Sequence, residues 1–512
     1  MHRKFLLIAV CCISLLIPTL ANTVFAAPTG KAVVCSRTGS MEMRKALDPH
    51  TIYGSNGTSI KGMVFDSLVT KDEKGTFKPA LAESWQIAPD WSYVDFNLRK
   101  GVKFHNGDPF SADDVVFSFE RAMREDLRFT WRSEFMRCID RLEKLNDYQV
   151  RIHLKTPYPA IFDRCFEYFG IVPKKYIEKV GDEGFAKKPI GAGPFKVIKF
   201  ERDVYLEVEA VENHYRQTPL TKHIKYMWVP ESSTRLAMLK TGEADFIMLR
   251  PPQIPIVQRD QDLKIQWSKH TFLQTLCFFD LSHPEDSPFK DIRIRKATSL
   301  AIDRAGITKA LSNGAEEPWG SFLAPYHLGY DPSIKADPYD PAKAKQLLVD
   351  AGYPNGFDTV LTTHPNMKPN FEAIAQELGK VGIRCKLNIP EAGTYSKTFV
   401  ASGFRGIGYG SGPWWVGRGH PAVALDSHTT GSWSHNLAIP EIKEAMRRLE
   451  TAVGDENIAK QARALDDLLI KSKRRIPLWS TNIGYALGPK VADYPGVPGV
   501  VYPMNLEYLK MK

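Results

Sequence analysis

The stretch Val102-Lys103-Phe104-His105-Asn106-Gly107-Asp108-Pro109-Phe110-Ser111-Ala112-Asp113-Asp114-Val115-Val116-Phe117-Ser118-Phe119 crowds a histidine and three carboxylates into the segment 105–114. Metal ligands and acid–base catalysts come from that palette, yet the order of the residues reads as local structure. Asn106-Gly107 is a turn dipeptide. Ser111 and Asp114 form a capping box in its acidic variant. Asp113 and Asp114 both suit the positive end of a helix dipole. Val115 or Val116, Phe119, Ala122 and Met123 then recur at helical spacing and face a core. His105 follows the short strand Val102-Lys103-Phe104 and orients the turn. The segment is therefore a strand, a turn and a capped helix, and its carboxylates are accounted for by helix initiation.

The rest of the chain sets the compartment. Arg3 and Lys4 precede an apolar run from Phe5 to Ile17, shorter than the ~20 residues of a membrane span. Pro18 breaks the run, and Val24-Phe25-Ala26 offers a cleavage site before Ala27, so residues 1–26 read as a secretory signal. A periplasmic location is expected. The formal charge is +10; loss of Arg3 and Lys4 would leave a mild positive excess. With acids and bases interspersed, that excess is a solvated surface and not a nucleic-acid face.

Five cysteines follow the signal: Cys35, Cys138, Cys165, Cys277 and Cys385. They are scattered, with no CxxC, which argues against a zinc knuckle. An oxidising compartment permits disulfides. Cys138 and Cys165 flank a hairpin in which Asp147 turns between Leu142–Leu145 and Tyr148–Leu154, so their pairing is expected. A mature chain of this length exceeds what one core holds, so two or three domains are expected. Val204–Ala210 alternates like a half-buried strand. Lys343–Ala351 reads as a helix, capped by Asp340, with Pro341 at its first position and Gly352 at its stop. Glu441–Ala452 and Ile458–Ser472 are further amphipathic helices. The class is mixed α/β.

Several stretches then occur in a characteristic order. They are Pro79-Ala80-Leu81-Ala82-Glu83-Ser84-Trp85, Tyr93–Gly107 with its capped helix, Pro189-Ile190-Gly191-Ala192-Gly193-Pro194-Phe195, Arg293–Ala297 with Ala301-Ile302-Asp303-Arg304, and Tyr339–Ala344 with Ala351-Gly352-Tyr353. Together they resemble family 5 of the extracellular solute-binding proteins, the peptide, nickel and opine receptors of ABC importers, over nearly the whole mature chain. The resemblance implies a two-lobed periplasmic-binding-protein fold with an extra subdomain (the cluster C type) and a hinge of two crossing strands. Residues 27–278 with 480–512 would form the first lobe, 79–189 its extra subdomain, and 279–479 the second lobe. The hinge would lie at Leu276–Phe279 and Ile476–Trp479. Closure around a ligand is the motion such a hinge allows.

The resemblance also locates the ligand. Peptide receptors of this family carry an aspartate for the peptide ammonium on a loop of the second lobe. The matching loop, Gly408–Pro421, contains no acid and offers Arg418 and His420 instead. Guanidinium matches carboxylate, so an anionic or carboxylate-bearing solute is expected there. Trp414 and Trp415 present aromatic faces to it, with Tyr409 on the same segment. Tyr53 and Asn56, in the loop 53–58, Trp433 and Lys368 are the remaining expected ligand contacts; Asn56-Gly57-Thr58 reads as a turn. The expected partners are a small-molecule or peptide ligand and an inner-membrane ABC permease complex, with no nucleic acid, no cofactor and a monomeric chain. A nickel- or metal-chelate receptor of the same family is the alternative, with His420, His428 and His435 close in sequence. A secreted hydrolase is disfavoured, because Gly-x-Ser-x-Gly, His-Glu-x-x-His and a cysteine-protease context are all missing.

Overall fold

The computed structural model describes residues 27–36, 47–51, 55–72, 76–127, 129, 132–166, 169–283, 285–413, 419–426, 428–429, 439–496 and 505–512. Within them, eleven strands form one mixed sheet, and Ala82–Ile87, Tyr93–Leu98, Gln149–Leu154 and Ile139–Asn146 form a separate antiparallel sheet of four. The large sheet is organised by two long neighbours, Lys264–Phe278 and Arg475–Leu487. They pair antiparallel from Lys264↔Leu487 to Cys277↔Arg475. Each half of this ribbon is joined by a different set of parallel strands.

At one end, Phe246–Met248 pairs with Leu487–Tyr485, and Thr29–Ser36 and Thr221–Trp228 continue the sheet. At the other end, Ile407–Pro413 pairs with Phe278–Phe272, followed by Phe357–Thr362 and Ile383–Asn388. The register fixes the directions. The first set runs toward the middle of the ribbon, and so does the second, from the opposite side. Two parallel half-sheets thus aim their carboxyl ends at one another across two shared strands, and this is the two-lobed binding-protein architecture. Ile224, Tyr226, Phe246 and Tyr485 lie in the core of one half; Leu276, Ile294, Phe371 and Trp479 lie in the core of the other.

The opening motif is scaffold. The helix Ala112–Met123 carries the capping box at Ser111 and Asp114, with the Ser111 backbone N–H donating to Asp114 Oδ2 at 2.9 Å. Asp114 Oδ1 also accepts from the backbone N–H of Lys174 at 2.9 Å, so one carboxylate starts one helix and docks the next. Asp113 pairs with Lys144. His105 Nε2 lies 2.9 Å from the carbonyl of Gly193, and burial pushes its imidazole down to about 4. It is a neutral strut between the turn and the glycine-rich segment 190–194. There the backbone approaches so closely that a Cβ on Gly191 would meet the Val64 carbonyl at 2.0 Å, which is why glycine stands there.

Local expectations are met in several elements. The hairpin pairs Asn146 with Gln149. The helix Pro341–Asp350 has Asp340 accepting from the Lys343 N–H, and Gly352 at φ +90°. Helices span Pro440–Glu450 and Asp455–Ser472.

Three expectations are corrected. Cys138 is a free thiol whose Sγ donates to the Glu134 carbonyl, so the Cys138–Cys165 bridge is not formed; the Cys165 side chain lies outside the described residues. The expected turn at Asn56–Thr58 is the first part of a helix, Ser55–Val64. Weak helix formers are carried there by Ile60, Met63 and Val64, which are buried. The expected glycine-rich loop from Gly408 begins as the strand Ile407–Pro413. Its glycines alternate. A Cβ at Gly408, Gly410 or Gly412 would meet the Thr362 carbonyl at 2.2 Å, Cys277 Sγ at 2.3 Å and His428 Nε2 at 1.8 Å. A strand carrying side chains on that face could not pack this closely.

Candidate functional site

The opposed carboxyl ends meet over the middle of the ribbon, the kind of place where open α/β sheets bind ligands. Four features mark it. The ladder between the long strands is broken from Ser268 to Phe272 by a bulge. His270, inside the bulge, sits at φ +53°, a left-handed conformation uncommon for residues other than glycine. Its N–H donates to Asn482 Oδ1 at 2.8 Å and its carbonyl accepts from Tyr326 at 2.6 Å. Finally, Phe272, Thr481 and Ile483 are only half-buried there, although they stand at the centre of the chain's largest sheet.

A short strand, Glu316–Pro318, covers the edge of this region and pairs Glu316 with Thr481 and Pro318 with Trp479. Glu316 is partly buried and reaches a polar cluster. Its carboxylate accepts from Asn370 Nδ2 at 3.3 Å and from Thr481 Oγ1 at 3.5 Å, and Gln274 Nε2 donates to Thr481 Oγ1 at 3.0 Å. Burial pushes Glu316 up to about 7, against the opposing pull of Asn370, Thr481 and Trp479. No Lys or Arg among the described residues pairs with it. Sequence reasoning missed this acid, because nothing in Ala315-Glu316-Glu317-Pro318 marks one glutamate as buried.

The raised value fixes the sign of a pH effect. A carboxyl that holds its proton more tightly when folded contributes its full stability below the unfolded value, near 4.5, and loses it as pH rises through 7. Asp466, pushed up to about 6 by burial, acts in the same direction. Urea unfolding of the wild type and Glu316→Gln at pH 5 and pH 8 should show the wild type losing on the order of 1–3 kcal/mol more than the variant over that interval. Equal losses in the two proteins would contradict the assignment.

The residues expected at the ligand distribute unevenly. Lys368 opens the helix Lys368–Lys380, shortly after the carboxyl end of Phe357–Thr362. It stands at the rim, 55% exposed, with Glu372 at 3.7 Å. Tyr409 is packed: its ring meets Phe371 edge-on, and its carbonyl accepts from the Tyr395 hydroxyl at 2.7 Å. His420 is buried. Burial pushes its imidazole down to about 4, and Nδ1 accepts from the Ala422 N–H. Its own N–H donates to Asp163 Oδ2 at 2.9 Å. The structure does not bring Lys368, Tyr409 and His420 together into one cluster. Trp414, Trp415, Arg418, Tyr53 and Trp433 lie outside the described residues, as does the Asn56 side chain.

The expected proximity of the histidines resolves differently. His428 is fully buried, and its Nδ1 accepts from Arg475 Nη1 at 3.0 Å. Burial and that guanidinium hold it well below the usual histidine range. His435 lies outside the described residues. No group of three or more His, Cys, Asp or Glu among the described residues is placed to hold a metal ion, and no helix among them is long and apolar enough to cross a membrane.

A two-lobed frame with a crevice at its switch point defines a protein that holds a solute between its halves. Comparison with known proteins agrees. Residues 76–432 match the model for the bacterial extracellular solute-binding proteins, family 5. The heme-binding protein A of Haemophilus influenzae is 29% identical over 500 residues, covering 90% of this chain and 89% of that protein. The di/tripeptide-binding protein 1 of Pseudomonas aeruginosa is 29% identical over 423 residues, covering 75% and 78%. Among solved structures, the periplasmic binding protein DppA of Helicobacter pylori, in complex with the peptide STSA, superposes with a TM-score of 0.78 at 24% identity, covering 95% of this chain and 98% of that one. The chain belongs to family 5 of the bacterial extracellular solute-binding proteins.

Proposed function

We propose that this protein captures a peptide-like or other small organic solute in the crevice over the ribbon Lys264–Phe278/Arg475–Leu487 and delivers it to the membrane permease of an ABC importer. The observation that carries the reading is the opposed orientation of the two parallel half-sheets about those strands. Residues 27–278 with 480–512 and residues 279–479 are the two lobes, 79–189 is the extra subdomain, and 1–26 direct export to the periplasm. The bend lies at Leu276–Phe279 and Ile476–Trp479, where the chain crosses from one lobe to the other. The chain acts by binding and performs no bond-making chemistry, and it works as a monomer.

The related proteins are named for heme and for small peptides, so membership leaves the ligand to the side chains. Segment 408–421 contains no acid. A solute end held by Arg418 carries a carboxylate or similar anion, because like charge would repel an amine in a poorly screened cleft. Trp414 and Trp415 grip its flat or apolar part.

Mass spectrometry of what co-purifies with the protein identifies the solute. Binding should raise the melting temperature with ligand excess and change tryptophan fluorescence, with no turnover. Arg418→Glu should weaken a carboxylate-bearing solute by about 10- to 100-fold, read by titration calorimetry. Unchanged affinity would refute the role of Arg418, and a turnover lost with a single side chain would refute the binding-protein reading.

A further inference from the structure

Among the described residues, no Lys or Arg pairs with Glu316. Glu316, Thr481 and Phe272 stand in one register row across three strands, and Phe272 is paired in turn with Pro413. Residues opposite one another in a ladder present their side chains to the same face. One step along, Gln274 and Trp479 form the next row on that face. The helix Lys368–Lys380 lies over it, with Asn370 donating to Glu316 and Phe371 packed on Tyr409.

One buried acceptor in these rows is unsatisfied. Gln274 is 5% exposed, and its Oε1 has no hydrogen-bond partner although its Nε2 is engaged. Native folds satisfy buried acceptors unless something is missing from the site. What Glu316 and Gln274 have in common is acceptor oxygen. A partner that donates several hydrogen bonds and carries positive charge completes both, and a primary ammonium, with three donors on a compact cation, does so.

The surrounding charges allow it. Lys368 is ion-paired with Glu372. His270 faces Glu317 at 3.7 Å, and burial holds it below its ordinary value. A neutral imidazole leaves an incoming ammonium free of repulsion from that side.

We infer that Glu316, with Gln274 Oε1 beside it, is a cation subsite of the crevice that takes the ammonium group of the bound solute. The subsite rests on the reading of the crevice as the solute site. It restores an ammonium partner to a protein whose 408–421 segment has none, from a strand on a different part of the chain. Combined with a carboxylate-seeking end elsewhere in the crevice, it makes the solute a zwitterion of the amino-acid or short-peptide class.

The test uses the full-length mature protein, purified after unfolding and refolding to strip bound solute. The probe is an equimolar mixture of di- and tripeptides, each present in free and N-acetylated form. Retention is read by mass spectrometry after ultrafiltration. The wild type should retain free-amine forms about 10- to 100-fold better than their N-acetylated counterparts, and Glu316→Gln should bring that ratio near one. Gln274→Met should reduce it in the same direction. Thermal melts check that each variant is folded. If Glu316→Gln keeps the wild-type ratio, or if the wild type retains N-acetylated and free forms equally, the subsite is wrong while solute capture stands. If the wild type retains no peptide of either form and nothing from a periplasmic extract, the crevice reading itself falls, and the subsite with it.

Discussion

Replacing Asp163 by alanine should lower the unfolding free energy by about 3–5 kcal/mol, the cost of breaking a buried ion pair from one side. Asp163 Oδ1 pairs with the Lys71 ammonium, and the two side chains are 1% and 3% exposed. Asp163 Oδ2 accepts from the His420 N–H. The carboxylate therefore joins the short strand Val69–Lys71, the segment Phe162–Phe166 and the start of the helix Pro421–Asp426. Gly419 permits the approach, since a Cβ there would lie 1.9 Å from Asp163 Oδ1. The variant removes the carboxylate that faces the buried Lys71 ammonium. The double variant Lys71→Met/Asp163→Leu removes both charges and should recover most of the loss. Urea unfolding measures all three proteins, and a loss below about 1 kcal/mol in the single variant would show the pair to be unimportant. The anchored segment 419–420 directly follows 414–418, so solute affinity should fall together with stability in Asp163→Ala.

Arg121→Met should cost at least as much, again about 3–5 kcal/mol. The guanidinium is almost wholly buried and serves three groups. It reaches Asp48 at 3.0 Å through Nη1, Asp182 at 2.7 Å through Nη2, and His50 Nδ1 at 2.9 Å through Nη1. The other ring nitrogen of His50 donates to the Gly170 carbonyl at 3.0 Å. Burial pushes this histidine down to about 3, so it accepts from Arg121 as a neutral ring. Without the guanidinium, Asp48, itself 2% exposed, keeps among the described residues the charge of Lys61, whose ammonium burial has already pushed down to about 8. Lysine at this position should rescue little, because a point charge cannot serve two carboxylates in a fork. A melting temperature within 2 °C of the wild type in Arg121→Met would overturn this account.

Both predictions concern the frame, and the frame is what the related proteins share. Heme- and peptide-named relatives match this chain along most of its length, so the two-lobed sheet accommodates different solutes by changing side chains at the crevice.

Much of the local structure was legible. The capping box at Ser111, the hairpin at Asp147 and the helix opened by Asp340 and Pro341 are written in residues that satisfy one another within a few positions. The mixed α/β character followed from strand-like runs that alternate with helical ones. The strand nature of 407–413 was missed, although glycines at 408, 410 and 412 repeat with the period of two that a strand requires.

What sequence could not supply was set by contacts between distant segments. The ribbon brings residues 264–278 against 475–487, and only that pairing places Gln274 beside Thr481 and Glu316. Burial of one glutamate among 58 acids depends on which helix lies over it, and that is decided by the packing of residues 368–380. The thiol of Cys138 stayed free because its helix turns it toward the Glu134 carbonyl. Hydrogen bonds within a turn are encoded by neighbours in the chain. A desolvated charge is created by the whole fold, so the chemistry of the crevice emerged only when the tertiary structure closed around it.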